Sequence, residues 1–553
     1  MKKIDLLIGI IALFAFFLLL AELSSLFAAY AGLIRVMNVT ILFLFILDVS
    51  LRFFLSKDKS RHFRENWLDL IVFIPLIRFL PGIEQTAFFV ILWQLVIILM
   101  LVSRVRRANK LVTLLSLKPA QLMVTSFSFA IGMGAILLML PLASASGEKT
   151  SLLDALFTAT SATCVTGLIV KDTASHFSFF GQTVILALIQ IGGLGIMTFS
   201  VSLALLLGKR LQMQRQIVMQ DVLDQDTLLN VKDLVLFIVK MTVFFELIGA
   251  LVLFFLWQGR FESKLTCVYY ALFHSVSAFC NAGFSTFTDS LMRFSQDTWT
   301  NFTIMALIIL GGLGFTVVKD LFDSLRKKKA VRFRVQTKVV LIVSFSLIVA
   351  GTIGFYLLEN HHSLIGLKTK DKILVSFFQS VTSRTAGFNT CNISGLSTAT
   401  LFMIMILMFV GGSPGSTAGG IKTTTVAVLA AAMVSGFRQK QESELYRRTI
   451  PFEVVRKAFS VFLISLFIVA AFFLLLLYIE QERFPDLMFE AVSAFGTVGL
   501  STGATALFSQ KGKIVVTLLM FIGRMGPLTI TYAFLQPRKP PRYSYAEERV
   551  MIG

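Results

Sequence analysis

Apolar runs of about 20 residues, the length a helix needs to cross roughly 30 Å of hydrocarbon, recur from residue 6 to residue 535 with short polar connections between them. Four such runs, 5–24, 36–55, 67–80 and 87–103, lie in the first 118 residues. From 119 to 537 the order changes: a long apolar run, a short semi-polar segment, then a second long apolar run, four times over. The short segments, such as 152–162 and 486–494, are about half the length of a span. They are therefore re-entrant. Non-helical backbone at membrane depth is tolerated only inside protein or along a water-filled cavity, so four such loops converging on one axis imply a pore. The pattern predicts an all-α polytopic membrane protein with eight spanning helices and four re-entrant loops around a central pore, preceded by a four-helix transmembrane bundle.

The short segments are copies of one motif: Ser161-Ala-Thr-Cys-Val-Thr-Gly167, Ser277-Ala-Phe-Cys-Asn-Ala-Gly283, Val381-Thr-Ser-Arg-Thr-Ala-Gly387 and Ser493-Ala-Phe-Gly-Thr-Val-Gly499. Their final glycines stand 116, 104 and 112 residues apart. A second landmark starts 25, 28, 24 and 24 residues after each glycine: Gly192-Gly-Leu-Gly195, Gly311-Gly-Leu-Gly314, Gly411-Gly-Ser-Pro-Gly415 and Gly523-Arg-Met-Gly526. A repeat of this size is one supersecondary unit used four times. Close helix packing explains any one of these glycines alone, but it does not explain matched spacing in four copies. A loop ending in glycine can turn backbone carbonyls inward to replace the water shell of a cation. Apart from Arg384 the residues before the glycines are uncharged, and no ring of carboxylates is present.

The third second-landmark runs on as Gly411-Gly-Ser-Pro-Gly-Ser-Thr-Ala-Gly-Gly420, five glycines and a proline within ten residues. A continuous helix cannot be held there. The segment is read as an unwound loop lining the cavity below the pore loops, where Ser413, Ser416 and Thr417 need polar partners. Arg524 stands where the other repeats have Gly193, Gly312 and Gly412. A guanidinium at that depth faces a wet cavity or a partner, placed to hydrogen-bond the loop and to repel cations. Arg384 reads as a structural charge holding its loop, and His274, His361 and His362 show no ligand spacing and are assigned no role.

Charge sets orientation. The chain of 553 residues is 56% hydrophobic with a formal charge of +20. The basic residues cluster at 57–64, 104–110, 209–215, 326–338, 438–457 and 538–542, between apolar runs. That is the distribution of cytoplasmic loops under the positive-inside rule, not a nucleic-acid surface. Both termini then face the cytoplasm of a multi-pass cell-membrane protein, with 538–553 as a cytoplasmic tail. Residues 6–20 follow Lys2 and Lys3, but Glu22-Leu-Ser-Ser25 offers no cleavage signal, so the run reads as a retained helix. Cys164, Cys267, Cys280 and Cys391 have neither disulfide nor zinc spacing. No nucleotide-hydrolysis motif is present. The chain reads as a transporter and not an enzyme, without a covalently bound cofactor.

Taken together, Ser-Ala-Thr-Cys-Val-Thr-Gly167, Asn281-Ala-Gly-Phe284, Arg384-Thr-Ala-Gly-Phe-Asn389 and Gly411-Gly-Ser-Pro-Gly-Ser-Thr-Ala-Gly-Gly-Ile-Lys422 resemble the Ktr/Trk/HKT superfamily of cation transporters over about 119–537, and within it the Ktr-type membrane subunits. The resemblance implies potassium uptake through a selectivity filter formed by backbone carbonyls at Thr166, Gly167, Asn281, Ala282, Gly283, Thr385, Ala386, Gly387, Thr497, Val498 and Gly499. Some sodium-carrying relatives have serine at the first glycine position, so glycine in all four favours potassium. It also implies an intramembrane gate built from Gly412, Ser413, Gly415, Ser416, Thr417 and Gly419, with Arg524 beside it. A homodimer regulated by a cytoplasmic nucleotide-binding subunit of the KtrA or TrkA type follows from the same resemblance. Two other readings fit the residues: a sodium-selective or sodium-coupled transporter of this architecture, and a non-conducting membrane sensor.

In the first 118 residues, Asp48, Arg52, Asp69, Arg104, Arg107 and Lys110 resemble the charge pattern of a voltage-sensor module. The basic residues, however, crowd the cytoplasmic end of the fourth run, and 88–103 carries none. Charges already at the interface cross little of the field. The bundle is therefore expected to pack or regulate.

Overall fold

The computed structural model describes residues 119–195, 231–327, 333–440 and 442–534, with isolated positions elsewhere. The N-terminal bundle expected over 1–118 lies outside the described residues, apart from scattered helical positions between 40 and 50. The chain divides into two compact units, and the larger one, Lys118–Met139 with Ser151–Gly553, carries all four repeats.

Each repeat contributes a first helix, a short pore helix and a second helix. They are α1 (Pro119–Leu138), α2 (Leu152–Thr163) and α3 (Phe179–Leu194) in repeat 1. Repeat 2 has α4 (Val231–Trp257), α5 (Lys264–Phe279), α6 (Thr298–Gly312) and α7 (Phe315–Lys327). Repeat 3 has α8 (Val335–Glu359), α9 (Thr369–Thr382), α10 (Thr398–Phe409) and α11 (Thr423–Phe437). A two-stranded hairpin, β1 (Ser443–Leu445) and β2 (Arg448–Ile450), leads into repeat 4. There α12 (Phe452–Ile479) and α13 (Phe484–Gly496) are followed by a one-turn α14 (Ala504–Leu507), α15 (Gln510–Met525) and α16 (Pro527–Phe534).

The second helices start alike. Ser178, Asp297, Ser397 and Ser509 each accept a hydrogen bond from a first-turn N–H, at Gly181, Thr300, Thr400 and Gly512. Such caps satisfy donors that the helix itself leaves unpaired. They also end alike, and here the structure corrects the expectation of continuous second spans broken only in repeat 3. The last glycine of the landmark takes positive φ in repeats 1, 2 and 4, at Gly195 (74°), Gly314 (91°) and Gly526 (79°), and helix stops before it. A residue in this left-handed region terminates a helix, and glycine adopts it without a Cβ penalty. The break turns α6 into α7 by 103°. Among the described residues, α8, α12 and most of α4 are helices long and apolar enough to cross a bilayer, and α6 with α7 makes a fourth if counted as one bent span.

The core lies between successive repeats. Ala155, Ala159, Ile185 and Ile189 of repeat 1 share one buried cluster with Phe273, Cys280 and Phe284 of repeat 2. Ile304, Leu307 and Ile308 of repeat 2 share another with Phe378, Ala386 and Phe388 of repeat 3. Phe157 of repeat 1 packs in the cluster of repeats 3 and 4, with Met408, Phe489 and Phe495. The fourth repeat thus contacts the first, and Lys513 Nζ on α15 reaches Asp154 Oδ1 on α2 at 2.6 Å. The outer faces remain apolar: Phe459, Leu463, Phe467, Leu474 and Tyr478 on α12 are exposed at helical spacing, as a lipid-facing surface requires.

Candidate functional site: a glycine ring above an unwound loop

The pore helices end immediately before the repeated glycines, so the partial negative charge of four helix C-termini is directed to one place. In each strand the residue two before the glycine has positive φ: Val165 (57°), Asn281 (60°), Thr385 (71°) and Thr497 (50°). The glycines are positive as well: Gly167 (90°), Gly283 (69°), Gly387 (83°) and Gly499 (90°). The residue between is not, so handedness alternates over three residues. Alternation of that kind points successive carbonyls to one side.

The glycines close a ring. A Cβ built on Gly167 would meet Ala282 O, one on Gly283 Ala386 O, one on Gly387 Val498 O, and one on Gly499 Thr166 O, all under 3.0 Å. Each repeat's glycine lies against the carbonyl preceding the glycine of the next, and the fourth returns to the first. No side chain fits at any of the four positions.

Hydroxyl groups tie this turn down. Ser161 Oγ accepts from Gly167 N at 3.0 Å, and Ser493 Oγ accepts from Gly499 N at 3.1 Å. Ser277 Oγ donates to Phe284 O at 2.7 Å, and Thr382 Oγ1 donates to Phe388 O at 2.6 Å. The third repeat differs from the motif alignment, which set Val381 opposite Ser161. Thr382 takes the serine's role, so the turn around Arg384 is one residue shorter. The same slip recurs two residues earlier: Ser275 Oγ donates to Glu246 O at 2.6 Å and Ser380 Oγ to Ile348 O at 2.7 Å, eight and seven residues before their respective glycines.

Outside the ring is a cavity of about 300 Å³ lined by the four glycines and by Asp172 and Asp289, among others. Sequence reasoning missed these carboxylates, since neither belongs to a repeated motif. Asp289 pairs with Arg293 Nη2 at 2.6 Å. Burial pushes its pKa up, but the hydrogen bond and charge of Arg293 outweigh this and hold it below the usual carboxylate range. Asp172 accepts from Ala174 N at 3.2 Å and Ser175 Oγ at 2.8 Å. Arg293 compensates the charge of Asp289, which leaves Asp172 as the carboxylate that can attract cations to the vestibule.

Beneath the ring, residues 410–422 leave the helix between α10 and α11. The loop is closed at its neck by a parallel bridge between Val410 and Ile421. It seats on the broken helix of repeat 2: Ser413 N donates to Gly312 O at 3.1 Å, Thr417 N to Gly311 O at 3.3 Å, and Phe315 N to Gly415 O at 2.9 Å. The polar side chains are satisfied. Ser416 Oγ donates to Ser413 O at 2.7 Å, Thr417 Oγ1 to Phe279 O at 3.4 Å, and Thr423 Oγ1 to Ser413 Oγ at 3.2 Å. Gly419 abuts the repeated motif of repeat 4, because a Cβ there would strike the side chain of Thr497. Gly412 faces Ala418 within the loop.

Three cations surround this loop. Arg524 donates through Nη1 to Thr417 O and through Nη2 to Gly192 O, joining repeats 4, 3 and 1. Lys422 Nζ donates to Ala418 O at 2.7 Å. Arg384 donates to Ser344 Oγ at 3.3 Å and Gly411 O at 3.4 Å, so it fixes the entry of the loop to α8. Among the described residues no carboxylate pairs with any of the three.

The described architecture is a fourfold set of re-entrant loops with an unwound segment beneath, and the fold as a whole is found in a known protein. The model of a family described as TrkH, cation transport protein, matches residues 85–540. The chain belongs to that family. The match begins inside the segment that the sequence pattern assigned to the N-terminal bundle. Ktr system potassium uptake protein B of Vibrio alginolyticus is 40% identical over 436 residues, 78% of this chain and 94% of the relative. The protein of the same name from Bacillus subtilis (strain 168) is 40% identical over 447 residues, 80% and 99% of the two chains. Potassium/sodium uptake protein NtpJ of Enterococcus hirae is 38% identical over 444 residues, 79% and 98%. The crystal structure of the potassium transporter TrkH from Vibrio parahaemolyticus has the same fold, with a TM-score of 0.62 at 17% identity over 91% of this chain and 97% of that one. As a member of this family the chain is a transporter in the cell membrane, not an enzyme.

The ring geometry leads to one prediction. Gly387→Ser puts a side chain where Val498 O lies, so in cells lacking other potassium uptake the discrimination of potassium over sodium should fall by about tenfold or more, since a displaced carbonyl ligand is worth ~1.5 kcal/mol or more of ion affinity. Wild-type discrimination in this variant would show that the ring does not select.

Proposed function

We propose that this chain takes up potassium by passing it, stripped of water, through the carbonyl ring at Gly167, Gly283, Gly387 and Gly499, and that the 410–422 loop held by Arg524 gates the path below. The observation that carries the reading is the closed cycle of glycine-to-carbonyl contacts, which brings four backbone carbonyls together around one axis. Backbone carbonyls suit a weakly hydrated monovalent cation. The printed functions of the relatives, potassium uptake in two and potassium/sodium uptake in the third, agree with it and keep sodium as the second candidate ion. The two Ktr relatives support a place in a Ktr-type system, with a KtrA-type cytoplasmic nucleotide-binding partner, and we extend this to a homodimer. Residues 1–118 are assigned to packing or regulation.

The gate reading rests on Arg524. A fixed positive charge beneath the ring opposes cation entry, and its two hydrogen bonds hold the loop in place. In liposomes carrying the purified chain, potassium flux should exceed sodium flux, and Arg524→Ala should raise the basal potassium flux by about tenfold, as expected when one charge interaction of ~1.4 kcal/mol is removed from a barrier. Unchanged flux in Arg524→Ala refutes the gate, and equal fluxes of the two ions refute the selectivity. Neutralising Arg104 and Arg107 should leave the voltage dependence of current as it is; loss of a steep dependence would make the N-terminal segment a voltage sensor. The mass of the detergent-purified protein should be that of two chains plus bound detergent, and a monomer mass would remove the dimer from the proposal.

A further inference from the structure

Two buried polar residues of the pore helices, neither belonging to the repeated motif, do the same thing at the same place. Glu490 stands nine residues before Gly499 and His274 nine before Gly283. Both are fully buried. Each reaches across to the serine two residues after its glycine. Ser501 Oγ donates to Glu490 Oε1 at 2.6 Å, and Ser285 Oγ lies 2.9 Å from His274 Nε2. His274 Nδ1 sits 2.8 Å from Tyr270 O. A carbonyl only accepts, so Nδ1 carries a proton, and in the neutral ring Nε2 accepts from the serine hydroxyl.

The ties differ in strength. Glu490 gathers the whole exit strand of repeat 4, accepting also from Thr502 N at 2.9 Å, Thr502 Oγ1 at 3.4 Å and Thr505 Oγ1. His274 is fixed by stacking on Phe287 at 4.5 Å and by an edge contact with Trp257 at 5.2 Å. Repeat 3 has a weaker tie from Gln379 Nε2 to Thr390 Oγ1 at 3.3 Å. Repeat 1 has none of this kind: Thr158 Oγ1 bonds Asp154 O in its own helix, and the residue two after Gly167 is Ile169. Because the glycines contact in the cyclic order of the repeats, repeats 2 and 4 face each other across the ring.

We propose that Glu490 and His274 are specificity-determining positioning residues, a pair of latches that clamp the exit strands of two opposite pore loops and so set the spacing of the carbonyl ring. The inference rests on the ring being the selectivity filter and adds to it the groups that keep it from widening. A ring of carbonyls distinguishes two cations only while its diameter is held against the pull of the smaller ion, and main-chain strands without such ties would follow that ion inward. Glu490 supplies a buried acceptor for donors from three residues, which holds the strand more stiffly than a neutral pair would.

The test is uptake kinetics in cells lacking other potassium uptake, with membrane abundance measured for each variant. Ser501→Ala and Glu490→Ala should raise the KM for potassium and lower potassium-over-sodium discrimination, each by about tenfold, the loss expected for a hydrogen bond to a charged group, with Vmax less affected. Ser285→Ala should do the same to a smaller degree. Ser501→Thr, which keeps the hydroxyl, should restore both values, a recovery that general loss of packing would not show. If Glu490→Ala does not reach the membrane, Ser501→Ala carries the measurement. Wild-type KM and discrimination in both Ser501→Ala and Ser285→Ala, while Gly387→Ser alters selectivity, would overturn the latches and leave the filter standing. Unaltered selectivity in all three would remove the filter, and the latches with it.

Discussion

The structure depends on backbone meeting backbone at positions where no side chain fits. Around the ring each glycine lies on the carbonyl of the neighbouring repeat. One level below, Gly192, Gly311 and Gly523 lie on the carbonyls of Thr163, Phe279 and Phe495, the last turns of their own pore helices. The first set joins the four repeats into a cycle, and the second presses each second helix under its pore loop. Both give up side-chain packing in exchange for close approach, as helix contacts in lipid generally do. What results is a set of carbonyl oxygens held close together by backbone alone.

Asymmetry enters where the second set of contacts fails. Gly411 does not lie on the pore helix of repeat 3; a Cβ there would meet Gly419 O, because the unwound loop has come between them. The shortened turn in the same repeat carries Arg384, which bonds the loop's first residues. The one repeat that departs from the shared register is therefore also the repeat that supplies the loop, and Arg384 links the two departures. Arg524 then bonds this loop from the neighbouring fourth repeat.

Much of this was legible in the residues. The glycine spacing gave the four repeats, and five glycines with a proline gave the unwound segment, because both features act through the backbone and leave a local mark. Features that act through contacts between distant segments were not legible. The break at the landmarks of repeats 1, 2 and 4 is one case: Gly-Gly-Leu-Gly reads equally as a helix-packing motif until the positive φ at Gly195 and Gly314 is seen. His274 is another, since its partner is Ser285 and nothing in a lone histidine on an apolar helix announces a hydroxyl eleven residues on. Glu490 lay just outside the aligned heptamers, and the vestibule carboxylates Asp172 and Asp289 sit in loops of unequal length. The one-residue slip in repeat 3 was hidden because Val381-Thr382 offers a hydroxyl at either of two adjacent registers.

The energetics of the loop suit a switch better than a plug. Arg524 holds it by two charge-assisted hydrogen bonds to main-chain carbonyls, each worth about 1.5–3 kcal/mol. Their sum, about 3–6 kcal/mol, reaches at its upper end the ~5.5 kcal/mol that carries a two-state element from almost wholly one form to almost wholly the other. A carboxylate partner would have fixed the guanidinium far more firmly and cancelled its field. Carbonyls hold the loop while leaving the positive charge uncompensated, so in the proposed gate one side chain would both keep the loop in place and oppose a cation beneath the ring. A regulator that shifts α15 slightly would weaken both effects together, because they originate in the same group.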